Sequence, residues 1–362
     1  MSLFCRQNVI TSLVALVVVA GSVETKSVHA ADTVYLKGSG NERKVGTITG
    51  ESATELVVTS GVGSLKKEFK IPANEVDRVD FEEEPLRLQI VRGSEGQGKL
   101  EDALAGYQEM LGEVEADNQI VRTDVEFLIA RTMAKIAKGD PSKLDDAIAK
   151  LEAFKTTHPN SFRYYPTMSW LADLYIAKGD AVKADATLTT LSNSPWEDYK
   201  MSAKISKGRL LLKQDQIPQA QSQFQAVVDA KANTDIEKAR RFEAMLGLAT
   251  TLQRQNQADE AAKMLSEVID QAATDDTKTL AEAFLRKGDT LLASGKKKDA
   301  LIAYLHVDVL FNQEKDLHAE ALYRLASLWN EVGKPERAAD SRAQLGSLYG
   351  NSEWAKKLAG GN

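Results

Sequence analysis

The rhythm of hydrophobic and polar positions changes twice along this chain. Residues 8–23, NVITSLVALVVVAGSV, form one apolar run without a charge. From Asp32 to Phe81 the pattern becomes a rough alternation in short β-branched runs: DTVYLK, KVGTITGE, ELVVTSG, KKEFKIP and NEVDRVDF, punctuated by GSGN, ESAT and SGVGS. Alternation sends successive side chains to opposite faces, so these runs predict four or five short strands. That many strands in about fifty residues predict a small barrel. FEEEPL then shifts the composition, and Pro85 marks a boundary. From Leu86 onward apolar residues recur at helical spacing with turn residues between them, which predicts a long run of helices.

That helical part repeats. The stretches AKGDAVKADA, LKQDQIPQAQ, RQNQADEAAK, ASGKKKDALI and EVGKPERAAD superimpose on Ala184, Ala220, Ala261, Ala300 and Ala338. Each alanine follows by five residues a Gly, Asp or Asn (Gly179, Asp215, Asn256, Gly295, Gly333), the types that best tolerate the positive φ of a helix C-terminal turn. Two further copies sit at Ala103 and Ala147. Twelve residues before the five downstream alanines stand Ala172, Gly208, Ala249, Gly288 and Ala326, all small. A small residue on each helix of a hairpin predicts the point where two backbones cross closely. Four residues after the alanines come Leu188, Phe224, Leu265, Tyr304 and, in the last copy, Arg342. The apolar members make a stripe that fills the layer between hairpins, while Arg342 suits a terminal face that meets water.

These residues resemble the tetratricopeptide-repeat family, whose first helix carries Trp, then Leu-Gly, then Tyr, and whose second carries Ala, then Phe, then Pro. SWLADLYIAKGD and YRLASLWNEVGKPERA carry the resemblance best, with Pro159 in FKTTHPN as a closing proline. The resemblance implies a mainly α fold, an α-solenoid of helical hairpins over 85–350. Separately, the strand pattern over 31–84 is similar to SH3-like or Sm-like mini-barrels and is expected to form a small β-barrel-like domain before it. Residues 351–362 are expected to form a capping helix and tail. Departures are visible. The anchor alanines are 44, 37, 36, 41, 39 and 38 residues apart rather than the family's roughly 34. In the first two copies Val91 and Lys135 stand where a small residue is expected.

The resemblance further implies that first helices line a concave face. It selects Asp173, Arg209, Lys213, Thr250, Arg254, Asp289, Tyr323, Ser327 and Glu331 as groove candidates. Their mixed charge suits a protein or peptide partner held by scattered polar contacts.

Other chemistries fit less well. GSEGQGKL at 93–100 approaches a phosphate-binding loop, but Leu100 stands where the magnesium-binding hydroxyl is required and no series of βαβ units follows. GKLEDALAGYQEM instead matches GKKKDALIAYLHV, so Gly98 reads as a repeat turn. After the first thirty residues only His158, His306 and His318 remain as histidines, without ligand spacing, and no metal or other cofactor is expected. Pairs such as Asp145/Asp146 and Asp275/Asp276 read as helix-start caps rather than catalytic acids. In FRYYPTMSW, Tyr164, Tyr165 and Trp170 read as filling between hairpins. The alternative is an envelope enzyme or carbohydrate-binding protein acting on cell-wall polymer, with RYYP stacking on sugars.

Composition and charge narrow the setting. The 362 residues are 43% hydrophobic and 27% charged, with aromatics at 6%, which suits helices. The apolar run is followed by SVHA, whose Val28 and Ala30 suit a signal peptidase, predicting a signal peptide cleaved after Ala30. The only cysteine, Cys5, precedes the run, so the mature chain is cysteine-free and folds without disulfides. Cleavage removes Arg6, Lys26 and Glu24, leaving 44 bases against 51 acids, a net charge of −7. Without a basic cluster such a chain is not expected to bind nucleic acid. Together these readings predict an exported, periplasmic or secreted, non-catalytic scaffold of the cell envelope, with no membrane span after cleavage. Neither the partner nor the oligomeric state is fixed by them.

Overall fold

The computed structural model describes residues 31–38 and 42–360; the expected leader, its cleavage after Ala30 and Cys5 lie outside them. Five strands form as the alternation predicts: β1 Asp32–Leu36, β2 Arg43–Glu51, β3 Glu55–Ser60, β4 Lys67–Pro72 and β5 Val76–Asp80. All neighbours are antiparallel and the order is β4-β3-β2-β1-β5. Strand β2 is long enough to pair with β1 through its first half and β3 through its second, with a register shift between Ile48 and Gly50.

The sheet does not close into the expected barrel; β4 and β5 remain unpaired edges among the described residues. The reason is what covers the inward face. Val34, Leu56, Val58, Ile71 and Val79 are buried in one apolar core with Leu88, Val91, Phe127, Phe154 and Phe162 from the helical part. Helices supply the cover that a closed barrel would have supplied from its own far wall.

Fifteen helices are described: α1 Leu88–Gly96, α2 Leu100–Glu113, α3 Gln119–Gly139, α4 Leu144–Thr157, α5 Tyr164–Lys178, α6 Ala181–Ser192, α7 Glu197–Lys213, α8 Ile217–Val228, α9 Asp235–Arg254, α10 Ala258–Gln271, α11 Thr277–Ala293, α12 Lys297–Leu310, α13 Lys315–Glu331, α14 Pro335–Tyr349 and α15 Glu353–Ala359. They pair as seven hairpins, α1/α2 to α13/α14, with α15 packing on the last. The turns between paired helices follow the sequence reading. Gly179, Asp215, Asn256, Gly295 and Gly333 all have positive φ, and so does Gly98, at +72° beside +73° for Gly295.

All seven anchor alanines are completely buried. In two hairpins the small residue opposite the alanine is a glycine, Gly208 or Gly288, that makes room for the aromatic one turn further along, Phe224 or Tyr304. A Cβ on Gly208 would lie 2.7 Å from the Phe224 ring, and one on Gly247, in the next hairpin, 2.4 Å from the same ring. Phe224 is thus wedged between two first helices. The first hairpin reverses the arrangement: Val91 occupies the small position, and Gly106 on α2 yields to it, with only 2.7 Å between a would-be Cβ and Val91 Cγ2. Arg342 is exposed, as a terminal position should be.

Candidate partner-binding face

First helices of successive hairpins, from α3 through α5, α7, α9 and α11 to α13, touch one another directly. Each is amphipathic in the sense a repeat requires. One stripe enters the hairpin core, and another, seven or three to four residues apart along the helix, faces the neighbouring first helix. Charges of opposite sign meet along this second stripe. Lys138 of α3 pairs with Asp173 of α5 at 2.7 Å, and Arg209 of α7 with Glu243 of α9 at 2.7 Å. Arg240 reaches the other oxygen of Glu243 at 2.8 Å. Arg286 of α11 holds Glu320 of α13 at 2.9 Å, and Arg324 returns to Asp289 at 3.0 Å.

The electrostatics follow from crowding. Burial alone would raise the Glu243 carboxyl, but Arg209 and Arg240 outweigh it and hold the group at about 2. Desolvation works against the Arg209 charge, yet Glu243, Asp173 and Glu282 together push its pKa up. Arg286 is driven up in the same way by Glu320 and Asp289. Acids and bases of four first helices therefore converge around Arg209 and hold each other ionised.

The sequence-selected candidates divide by what they touch. Asp173, Arg209 and Asp289 are committed to these ion pairs, and Asp289 also accepts a 2.8 Å hydrogen bond from the Tyr304 hydroxyl. Lys213 donates to the Ile176 and Ala177 carbonyls at 2.8 and 2.7 Å, and Arg254 to the Leu212 carbonyl at 3.0 Å. Each caps the end of the preceding first helix, where carbonyls lack partners within their own helix. Thr250 is half-buried and bonds back to the Leu246 carbonyl. Tyr323 lies against Trp354 of α15, ring centroids 5.3 Å apart. Glu331 pairs with Lys297 of α12 at 3.0 Å. Ser327 is exposed and stands three residues after Arg324 and seven after Glu320, on the same stripe.

Glu243, Arg240, Arg286, Glu320 and Arg324 were not singled out by the sequence reading. A signal was present. Glu243, Glu282 and Glu320 each stand six residues before the small crossing residues Ala249, Gly288 and Ala326.

The sheet is fastened to the beginnings of the same helices. The Asn74 amide donates to Asp198 near the start of α7 at 3.1 Å, and Lys37 donates to the Asn74 carbonyl at 2.8 Å. Arg163, just before α5, donates to Asp124 of α3 at 2.7 Å, both almost wholly buried.

The glycine-rich stretch 93–100 is organised by its one acid. Glu95 is buried, takes Arg131 on both oxygens at 3.1 and 2.6 Å, Lys135 at 2.8 Å and the Tyr107 hydroxyl at 2.6 Å. Cations that could have met a phosphate are occupied by a carboxylate. Lys135, anomalous as a crossing residue, is accounted for by that contact. Lys99 is exposed.

The remaining candidates are structural in their contacts. Tyr165 packs on Trp196 and Tyr199 of the next hairpin with centroids at 5.2 and 5.5 Å, and Trp170 lies beneath the Lys138 ammonium at 4.7 Å. His158 meets Glu126 at 2.7 Å, His306 the Ile302 carbonyl, and His318 both Asp308 and Tyr349 at 2.8 Å. A cavity of about 610 Å³ lies among α4, α5 and α6. Its acids are already paired, Asp145 with Lys178 and Glu152 with Lys155. Among the described residues no helix is long and apolar enough to cross a membrane.

The tetratricopeptide repeat family matches residues 243–274, the hairpin of α9 and α10. A tetratricopeptide repeat protein from Parabacteroides merdae ATCC 43184 shares 17% identity over 75% of this chain and 95% of its own, with a TM-score of 0.49. The Rap protein solved with Competence and Sporulation Factor shares 14% identity over 75% and 77%, at 0.50. PilW, a type IV pilus biogenesis factor, shares 17% over 66% and 98%, at 0.44. No curated protein matches the chain in sequence.

Proposed function

From the premise that the helical part of this chain is a tetratricopeptide-repeat array, we propose that the protein is a non-catalytic scaffold that binds a partner protein or peptide on the face made by its first helices. The observation that carries this reading is the ion-paired ladder from Lys138 to Arg324. It ties α3 to α5, α7 to α9 and α11 to α13. Hydrogen bonds from Lys213 and Gln253 to carbonyls bridge the intervening helices, and polar groups such as Ser327 stay exposed on the same face. A face held rigid before binding loses little entropy on binding, so a few contacts suffice for affinity. The paired state of the acids around the α4–α6 cavity, and the packing of Tyr165 between hairpins, favour this over a wall-degrading enzyme.

The setting belongs to the same proposal. The apolar run at 8–23 and the small residues Val28 and Ala30 support export, with cleavage after Ala30, to the cell envelope. Amino-terminal sequencing of the protein recovered from fractionated cells tests it: a first residue of Ala31 is expected, and retention of Met1 in the cytosolic fraction would exclude export.

A photo-activatable amino acid placed at Ser327 or Thr250, with Val182 on α6 as the comparison site, tests the binding face in intact cells. Capture of a discrete partner from the first two positions and not from Val182 is expected. Equal capture from Val182 would move the interface elsewhere.

A further inference from the structure

The hairpin joining β3 to β4 carries side chains that folding does not use. Its tip, Gly61-Val62-Gly63-Ser64-Leu65, exposes 80% of Val62 and 80% of Leu65, and neither belongs to any apolar core of the molecule. Hairpin tips are ordinarily filled by polar turn residues, because two large apolar side chains in water gain nothing from folding. The tip is nevertheless built. Gly61 and Gly63 hold φ of +84° and +60°, Leu65 N–H bonds to the Val62 carbonyl at 3.1 Å, and a Cβ on Gly61 would meet the Leu65 carbonyl at 2.5 Å. The turn therefore presents Val62 and Leu65 in fixed positions.

Directly behind them the charge is positive. Lys66 and Lys67 are exposed and have no acidic partner among the described residues. The Lys67 and Lys44 ammonium groups lie 4.8 and 5.5 Å from the Phe69 ring centre, and Lys70 extends from the same strand. Nearby acids answer only part of this charge: Glu42 pairs with Lys44, Glu68 is exposed next to Lys67 on the same strand, and Glu55 approaches Lys70, on the opposite sheet face from Lys67, at 4.0 Å. On a chain with a net charge of −6 this end of the sheet is a local reversal of sign.

We propose that the β3–β4 tip is a membrane-docking element: Val62 and Leu65 enter the interfacial region of a bilayer, and Lys66 and Lys67 lie over anionic headgroups. Apolar insertion and attraction to negative lipid are the two contributions that peripheral binding combines, and here they occupy adjacent residues of one rigid turn. A protein surface would also bury two apolar side chains, but the lysine collar behind them matches a plane of negative charge better than a pocket. Docked this way, the sheet would hold the helical array beside the membrane.

The test uses the full chain with Cys5→Ser and Leu65→Cys, labelled with an environment-sensitive dye; Cys5 is the only native cysteine. Vesicles of phosphatidylglycerol and phosphatidylethanolamine are expected to shift the dye emission to the blue, and phosphatidylcholine vesicles are not. A label at Val182→Cys, on α6, is expected to stay unshifted with either. Lys66→Glu/Lys67→Glu should weaken the response at residue 65 at least tenfold, and added salt should weaken it in the same direction. The reporter is local, so adsorption through another part of the chain leaves it silent. No shift at residue 65 with anionic vesicles, a shift indifferent to lipid charge, or a shift produced only by soluble envelope proteins would each overturn the proposal.

Discussion

Asn74, in the turn between β4 and β5, donates a 3.1 Å hydrogen bond to the carboxylate of Asp198 on α7, across 124 residues of chain. Both side chains are buried, and burial is the main force raising the Asp198 pKa. Removing the donor strands a desolvated carboxylate, so Asn74→Ala is expected to cost about 1–3 kcal/mol. Asn74→Asp should cost more at neutral pH, since it sets a second carboxylate against the first. Two facing carboxyls have folded pKa values above their unfolded ones, so this variant should regain stability as pH falls through the carboxylate range. Urea unfolding at several pH values checks both, and an Asn74→Asp variant insensitive to pH would show that the two groups do not couple.

Glu95 predicts the opposite pH behaviour. Burial raises its pKa, but Arg131, Lys135 and Tyr107 outweigh burial and bring it from 4.5 down to about 2. A depressed carboxyl stabilises the fold fully above its unfolded pKa and loses that stabilisation as pH falls from 4.5 towards 2; the amount is about 3 kcal/mol. Glu243, also near 2, acts in the same window. Glu95→Gln should therefore lower stability at pH 7 by about 2–3 kcal/mol and flatten, without abolishing, the acid loss of the native protein. Equal slopes for native protein and variant would remove Glu95 from the account.

Two glycine substitutions should move stability in opposite directions. A Cβ on Gly288 would lie 2.4 Å from the Tyr304 ring, whose hydroxyl is tied to Asp289 at 2.8 Å, so the ring cannot yield freely. Gly288→Ala is expected to cost about 1–3 kcal/mol despite its better helix propensity. Gly112, in α2, has nothing within 4 Å of a would-be Cβ, and Gly112→Ala should gain about 0.5–1 kcal/mol. Thermal unfolding of the two variants is the measurement, and combining Gly288→Ala with Tyr304→Leu should restore part of the loss.

These pairs also mark what the sequence discloses and what it hides. Positive φ at Gly179, Asp215, Asn256, Gly295 and Gly333 was legible because it depends on residue type and the neighbouring turn alone. The buried alanines were legible because helical spacing fixes which face they share. Barrel closure was misread because alternation tells which strand residues face inward, and not whether strand or helix covers them. Here Phe127, Phe154 and Phe162 do so. The exchange of roles between Val91 and Gly106 was hidden because spacing measured from Ala103 alone cannot say which helix gives way. Among the groove candidates, offset from the crossing residue selects Arg209 and Asp289, which are ion-paired across first helices, but does not name their partners. A long side chain's partner depends on how one first helix is shifted along the next.

That distinction separates candidates that hold the array together from those free to bind. Lys213 caps the end of α5 through the Ile176 and Ala177 carbonyls, so Lys213→Met should cost about 0.5–1.5 kcal/mol of stability whether or not a partner binds there. Arg209→Met should cost more, because it leaves Glu243 with Arg240 as its one close cation. Ser327 is exposed, and among the described residues its side chain ties no helix to another. Ser327→Arg should change stability by less than about 0.5 kcal/mol while blocking partner capture from a photo-activatable group at Thr250. Measuring unfolding and capture on the same three proteins resolves the two effects. If capture falls only in proportion to stability, and Ser327→Arg leaves it intact, the first-helix face is scaffolding for the array and the binding surface lies elsewhere.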